Sequence, residues 1–525
     1  MRTGPNVTSE TGKRRLPIGI QTFREVREDG HYYVDKTGFA LRLIAEGKHY
    51  FLSRPRRFGK SLFVDTLKEL FEGSRDLFVG LEAHDHWDWS VQYPVVRLEF
   101  GRGDYAQAGH LHTNLMAQLE SIDRQTGLRS ACDSGPERLA YLLEMLRLRG
   151  GQRVVVLVDE YDKPILDALH KPDIAKANRN YLRGLYSVIK SCDAHVRFCF
   201  LTGVSKFSKV SLFSGLNNLR DITLNPKYSS ICGYSEYDLD EVFAPELEGL
   251  DRDRIRDWYN GYSWGGAERV YNPFDVLLLL SDRVFKPWWY ETGTPTFLIE
   301  RLAEDGVPWH ILDGLRASEQ LLSTFDVGRI APEALLFQTG YLTVVATEER
   351  DDGVSYRLGF PNREVRQSLN RSLLNDLLGS GWKRDWERDR LIRALKVGDL
   401  ARMKGLLRSL LAGIPHQWHG RNPMAEYEGF YASVLYGHFS ATGAEVRAEE
   451  SGSAGRADLC VRAFGRVYIF EFKMHGRGGA ATAMAQLKTR GYADRYRALG
   501  EPIHLVAVEF SPDTRNLTGF ETETV

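Results

Sequence analysis

Apolar and polar positions along the chain follow two periods. Short β-rich runs at residues 49–53, 95–100, 154–159 and 196–202 alternate with longer stretches, such as 61–71 and 135–149, whose apolar residues recur every three to four positions. That alternation of strand and helix predicts a parallel sheet covered by helices, over about residues 16–280. The block 281–415 is mostly helical, with one placeable feature. A helix at 332–341 is followed by a strand at 342–346, a polar turn at 348–353 and a strand at 354–360, the succession of a winged-helix module. Residues 388–411 predict one long amphipathic helix, stopped by Gly413 and Pro415, that could connect the blocks. The last block, 420–525, predicts a compact α/β domain. It runs helix 425–440, a strand, a hairpin of 457–463 and 466–473 about Phe464-Gly465, helix 480–497 and strand 504–509.

Composition narrows the class. The 525 residues are 43% hydrophobic and 26% charged, which excludes a disordered or low-complexity chain. Lys and Arg number 69 against 70 Asp and Glu, so no global basic field exists and any polyanion must be held locally. The five cysteines form no CxxC pair, which argues against a zinc site or a disulfide framework and for a reducing cytoplasm. The longest apolar runs, 154–158 and 276–280, fall far short of the roughly 20 residues a membrane-spanning helix needs, so no membrane partner is expected. Residues 1–15 are polar and read as a frayed tail.

The strand 49–53 runs into Arg54-Pro55-Arg56-Arg57-Phe58-Gly59-Lys60-Ser61 and then into an amphipathic helix. This context suits a nucleotide phosphate site. Loop and helix amides from Arg57, Phe58, Gly59, Lys60, Ser61 and Leu62 would wrap phosphates, Lys60 would reach the terminal two, and Ser61 would hold magnesium. The first glycine of GxxxxGK[ST] is replaced by Arg54, and a solvated helix start is the plainer reading of Gly-Lys-Ser alone. About 100 residues downstream, the apolar strand 154–158 ends on Asp159 and Glu160, candidates for binding magnesium and for polarising the attacking water. After the next strand, Thr202 is a candidate sensor of the terminal phosphate. Arg197 and Arg220 are among possible arginine fingers, with no feature to choose between them.

In the last block, Asp458 opens one hairpin strand and Glu471-Phe472-Lys473 closes the other. Antiparallel pairing brings Asp458 to the 471–473 end, and the two-residue period turns Glu471 and Lys473 to one face. Two acids and a lysine suit phosphodiester hydrolysis, with Asp458 and Glu471 as magnesium or manganese ligands and Lys473 beside the phosphate. A surface hairpin with an ion pair is the alternative. The preceding helix offers Glu428 as a further ligand or water-orienting group. The following one offers Gln486 and Tyr492 to position the helix and substrate, with Arg477, Lys488, Arg490 and Arg495 nearby. The aromatics at 258–262 and 288–290 are expected in core or interface rather than stacked on bases.

With both segments in view, the chain resembles bacterial AAA-ATPase-like proteins that carry a carboxy-terminal PD-(D/E)XK nuclease domain. The resemblance rests on Leu16-Pro17-Ile18-Gly19, Tyr33-Val34-Asp35-Lys36-Thr37, the loop ending in Gly59-Lys60-Ser61, Val158-Asp159-Glu160-Tyr161-Asp162 and Thr202-Gly203-Val204-Ser205-Lys206. It continues through Gly215-Leu216-Asn217-Asn218-Leu219, Trp258-Tyr259-Asn260-Gly261-Tyr262 and Tyr271-Asn272-Pro273 to the Asp458, Glu471, Lys473 set. Arg54 is usual in that family. The resemblance implies an AAA-like P-loop parallel sheet, a helical or winged middle region and a restriction-endonuclease-like α/β domain. It also implies ATP and magnesium, with manganese as an alternative at the nuclease site, and DNA or RNA as substrate. The expected activity is a nuclease gated by nucleotide state, in a homo-oligomer. The resemblance points toward mobile DNA or phage defence, with a sensed partner protein or phage component. An ATPase that only binds nucleic acid, and an ATPase switch, are the alternatives.

Overall fold

The structure, a computed structural model, describes residues 13–206, 212, 216, 218–266, 268–291, 298, 302, 311–322, 325–326, 329–351, 353–378, 382–414, 428–452, 455–476 and 478–525. Most of the expected amino-terminal tail, residues 215 and 217 of the Gly-Leu-Asn-Asn-Leu motif, and Arg477 lie outside them. The chain divides into two units, Met1–Trp289 with Arg316–Asn362, and Tyr290–Leu315 with Arg363–Val525.

In the first unit, β1 (His49–Ser53), β2 (Val95–Glu99), β3 (Val154–Asp159), β4 (Val196–Gly203) and β5 (Arg220–Asp221) form the expected parallel sheet in the order β2-β3-β4-β1-β5. All five apolar residues of β3, Val154 to Val158, are fully buried. At roughly 1.5–3 kcal/mol for each buried Val or Leu, this strand is a main source of the sheet's stability, and a charge at Val156 would break it. The registers Glu99↔Asp159, Val158↔Leu201 and Ser53↔Gly203 bring the carboxyl ends of four strands to one edge, where parallel sheets present their ligand groups.

The Pro332–Thr339 helix is followed by β9 (Thr343–Arg350) and β10 (Gly353–Gly359), the helix and hairpin read from sequence. A short strand, β6 (Arg316–Ser318), adds to the hairpin in the order β6-β10-β9. The small pair β7 (Phe325–Asp326) and β8 (Arg329–Ile330) completes this region, which belongs to the same unit as the parallel sheet.

The second unit carries a mixed sheet of β11 (Glu445–Gly452), β12 (Gly455–Ala463), β13 (Arg466–Met474), β14 (Ile503–Ser511) and β15 (Asn516–Thr524), in sequence order. Only the β13–β14 pair is parallel. The Glu428–Ser440 helix packs on one face, with Tyr431 stacked on Phe510 at 4.4 Å and Phe439 at 5.2 Å from Phe470. The Gly479–Thr489 helix packs on the other, where Ala483 and Leu487 meet Val467, Ile469, Leu505 and Ala507.

Two expectations are corrected here, and one strand was not anticipated. The single helix over 388–411 is two, Trp382–Val397 and Leu400–Ala412, because Gly398 interrupts it and Asp399 caps the second by accepting from the Arg402 amide at 2.9 Å. The helix over 480–497 ends at Thr489 and resumes as Asp494–Arg497 beyond Gly491. The closing strand β15 went unread because it is an edge strand whose Thr and Glu side chains are largely exposed, leaving little hydrophobic alternation to see. Among the described residues no helix is long and apolar enough to cross a membrane, and all five cysteines are free.

Candidate active sites

The phosphate loop is built from the end of β1. Gly59 sits at the amino end of the Lys60–Glu72 helix with φ of +91°, and a Cβ there would meet nothing within 4 Å, so the space beside Gly59 is open. The first helical bond runs from the Phe63 amide to the Gly59 carbonyl at 3.0 Å. The amides of Lys60, Ser61 and Leu62 precede it and lack helical acceptors, which leaves them and the positive helix end for an anion. Arg57 is in the left-handed region at φ 68°, its guanidinium 5.0 Å from the Phe274 ring. Phe58 presents only its backbone to the loop, because its ring is buried against Tyr262 and Trp264.

Lys60 is buried, and its ammonium donates to the carbonyls of Arg54 at 3.0 Å and Pro55 at 2.9 Å. Burial lowers its pKa below the ordinary lysine value, and Asp159 and Glu160 oppose that shift. Asp159 is buried at the end of β3, and its carboxylate accepts from the Glu160 amide at 3.0 Å. Glu160 stands at φ 51°, a left-handed backbone that costs about 1–2 kcal/mol in a residue with a Cβ and is characteristic of functional sites. Burial raises its carboxyl pKa, with Lys60 pulling the other way. Thr202 is fully buried at the end of β4, and its hydroxyl has no hydrogen-bond partner among the described residues. An open cradle, an orphaned buried hydroxyl, a lysine and two carboxylates at one sheet edge fit a nucleotide phosphate with its divalent ion.

Asp162 and Arg54 carry structural duties the sequence left open. Asp162, buried, accepts from the amides of Val204 at 3.1 Å and Ser205 at 2.6 Å, and so holds the turn after Thr202. Arg54 is wholly buried. Its guanidinium donates to the carbonyls of Ser53 at 2.8 Å, Thr223 at 2.9 Å and Tyr228 at 3.0 Å, and lies 4.0 Å from the Trp264 ring centre. Burial lowers its pKa to about 10. Where a glycine would only allow the loop to turn, Arg54 anchors it. The aromatics at 258–264 are spent here: Tyr259, Tyr262 and Trp264 are core residues. Of the arginines named earlier, Arg197 lies over Tyr93 and Arg220 pairs with Glu46 at 3.2 Å.

In the second unit the hairpin register Leu459↔Phe470 sets Asp458 beside the 471–473 segment. Its carboxylate accepts from the Phe472 amide at 2.7 Å. The Lys473 ammonium donates to Glu471 Oε1 at 3.1 Å and to the Phe472 carbonyl at 3.0 Å. The Glu471 side chain is 1% exposed and that of Lys473 18%, so the acid is sunk in the sheet and the lysine that pairs with it is the more exposed of the two. Hard carboxylate oxygens suit magnesium or manganese. Among the described residues no group of three or more His, Cys, Asp or Glu could hold a metal ion by itself. Glu428 opens its helix with its side chain outside the described residues. Gln486 lies half-buried in the helix that covers this face, and Tyr492 is buried in the core beneath it. Lys488 pairs with Glu523 on the edge strand. Two neighbours escaped the sequence reading. Glu509 pairs in register with Lys473, and its carboxylate meets His475 Nδ1 at 2.7 Å. The signal was available, as a polar residue ending an apolar strand.

A family model described as a predicted AAA-ATPase matches residues 17–213, and one described as the PD-(D/E)XK nuclease superfamily matches residues 426–519. A protein of Azotobacter chroococcum mcd 1, described as an uncharacterized protein in the vnfD 5′ region, is 54% identical over 516 residues, which is 98% of this chain and 99% of that protein. The loop at one sheet edge and the acidic hairpin each fall inside the matching segment, and the chain belongs to the bacterial AAA-ATPase-like proteins that carry a carboxy-terminal PD-(D/E)XK nuclease domain.

Proposed function

We propose that this chain hydrolyses ATP and cuts nucleic acid, DNA or RNA, with nucleotide state controlling the cutting. The observation that carries the reading is the presence in one chain of a buried loop lysine beside Asp159 and Glu160 and of an Asp458, Glu471, Lys473 cluster. In this reading Lys60 and the amides of residues 57–62 bind phosphates, Ser61 and Asp159 are the magnesium ligands, and Glu160 accepts a proton from the attacking water. Asp458 and Glu471 are the metal ligands of the nuclease site, and Lys473 holds the negative phosphate. A magnesium ion, or manganese at the nuclease site, supplies Lewis acidity and makes a bound water more acidic. A cytoplasmic location, supported by five cysteines without a CxxC pair, belongs to the same proposal, as do a homo-oligomer and a role against phage or mobile DNA, with a sensed protein or phage component, which rest on the family resemblance.

The test is to incubate the chain with supercoiled plasmid, single-stranded DNA and RNA, in magnesium or manganese, with and without ATP. Cleavage lost in Asp458→Ala and altered in Lys60→Ala is the expected result. No cleavage under any condition with ATP turnover intact would replace the nuclease by an ATPase that binds nucleic acid. A size distribution indifferent to ATP would remove nucleotide-driven assembly.

A further inference from the structure

We infer that the Pro332–Thr339 helix and its Gly340 cap complete the nucleotide site, with Gln338 and Trp289 as positioning residues for ATP turnover. This rests on the ATPase reading above. All three residues lie beyond the matched segment 17–213.

One end of the helix meets the phosphate loop. Gly340 has φ of +92°, and a Cβ built on it would stand 2.6 Å from the Pro55 ring, so loop and cap are in direct contact. The adjacent Trp289, its ring centre 5.4 Å from that of Tyr341, donates its indole N–H to the Arg56 carbonyl at 3.1 Å. Gln338, one turn or less away and buried, faces the other nucleotide loop. Its Oε1 accepts from the Lys206 amide at 2.9 Å, while its Nε2 donates to the Leu322 carbonyl at 2.7 Å. The turn after Thr202 is therefore held twice, by Asp162 at residues 204 and 205 and by Gln338 at residue 206.

The loop held by Gly340 and Trp289 must also respond to ligand. An ammonium has three donors, and Lys60 spends two on the Arg54 and Pro55 carbonyls. Engaging two terminal phosphates withdraws at least one from a carbonyl next to the Gly340 and Trp289 contacts. The helix thus couples the segment that yields Lys60 to the turn that carries Thr202.

The test compares Gln338→Ala and Trp289→Phe with wild type in the full chain. It measures kcat and KM for ATP, ADP affinity by calorimetry, and Tm as a check on folding. Gln338→Ala should lower kcat about tenfold or more and leave ADP affinity within about twofold, because its loop faces the terminal phosphate. Trp289→Phe should weaken ATP and ADP alike by roughly fivefold, the worth of one hydrogen bond. Should Gln338→Ala lower the Tm, Trp289→Phe, which keeps the ring packing, carries the test. Both variants within twofold of wild type, while wild type binds nucleotide, would overturn the positioning role alone. A wild type that binds neither ATP nor ADP would overturn the ATPase reading and this inference with it.

Discussion

Around the phosphate loop, charged and polar side chains are tied to carbonyls and amides that come from distant parts of the chain. Arg54 reaches Thr223 and Tyr228, Asp162 reaches Ser205, and Gln338 reaches Lys206. In the nuclease hairpin, Asp458, Glu471 and Lys473 meet within 16 consecutive residues, and strand register aligns them. The first site is assembled by tertiary contacts, so a change far from the chemistry should disturb it. The second is local, so only changes at its own residues, or to the register, should matter.

The sharpest division should come from Asp458→Ala. It removes one proposed metal ligand and should cut nucleic-acid cleavage by roughly a thousandfold, with ATP turnover within about twofold of wild type. Loss of ATP turnover in this variant would break the independence of the two sites. Lys60→Ala is the converse. It should lower ATP turnover about a hundredfold and alter only the response of cleavage to ATP, with folding of the chain checked by thermal unfolding and cleavage assayed with and without ATP.

The anchoring role of Arg54 gives a third contrast. Arg54→Gly restores the glycine of the general phosphate-loop pattern, yet here it strips three carbonyls of a buried donor. We expect a loss on the order of 3 kcal/mol in the first unit, seen as a lower denaturant midpoint, and weaker ATP binding. A variant as stable as wild type would show that the loop stands without its anchor.

The same contrast decides what was legible in the sequence. The hairpin was readable nearly in full, because its chemistry follows from a two-residue period and one turn at Phe464-Gly465. The four main strands of the parallel sheet were readable from short strand-forming runs that alternate with helical stretches, and β3 most plainly, since burial on both faces leaves no polar position from Val154 to Val158 to confuse the pattern. Arg54 looked like a departure from the loop motif because its partners at residues 223, 228 and 264 are adjacent only after folding. Gln338 and Trp289 gave no local signal for the same reason, and the edge strand β15 was missed because its side chains are polar on both sides. The break at Gly398-Asp399 was written in the residues, a glycine followed by a helix-capping acid, but the helical period on each side hid it.

The smallest effect concerns a histidine at the far end of the nuclease sheet. His504 is buried, stacks on Tyr468 at 4.9 Å, and shares a hydrogen bond between Nδ1 and the Thr524 hydroxyl at 2.8 Å. Its Nε2 has no hydrogen-bond partner among the described residues, faces the Gly398 backbone, and lies near Arg466. Burial, then the Arg466 charge, holds its pKa below the ordinary histidine value of 6.5. The unfolded chain therefore binds more protons than the folded one as pH falls from 6.5 toward the folded pKa. Stability is full above 6.5 and declines through that window. His504→Gln keeps a side-chain amide in the space and removes the titration. Between pH 7.5 and 5.5, wild type should lose more stability than this variant, because the unfolded chain takes up the proton that the buried imidazole resists, in urea titrations of the full chain. Equal losses would mean that the ladder opens enough to hydrate the imidazole.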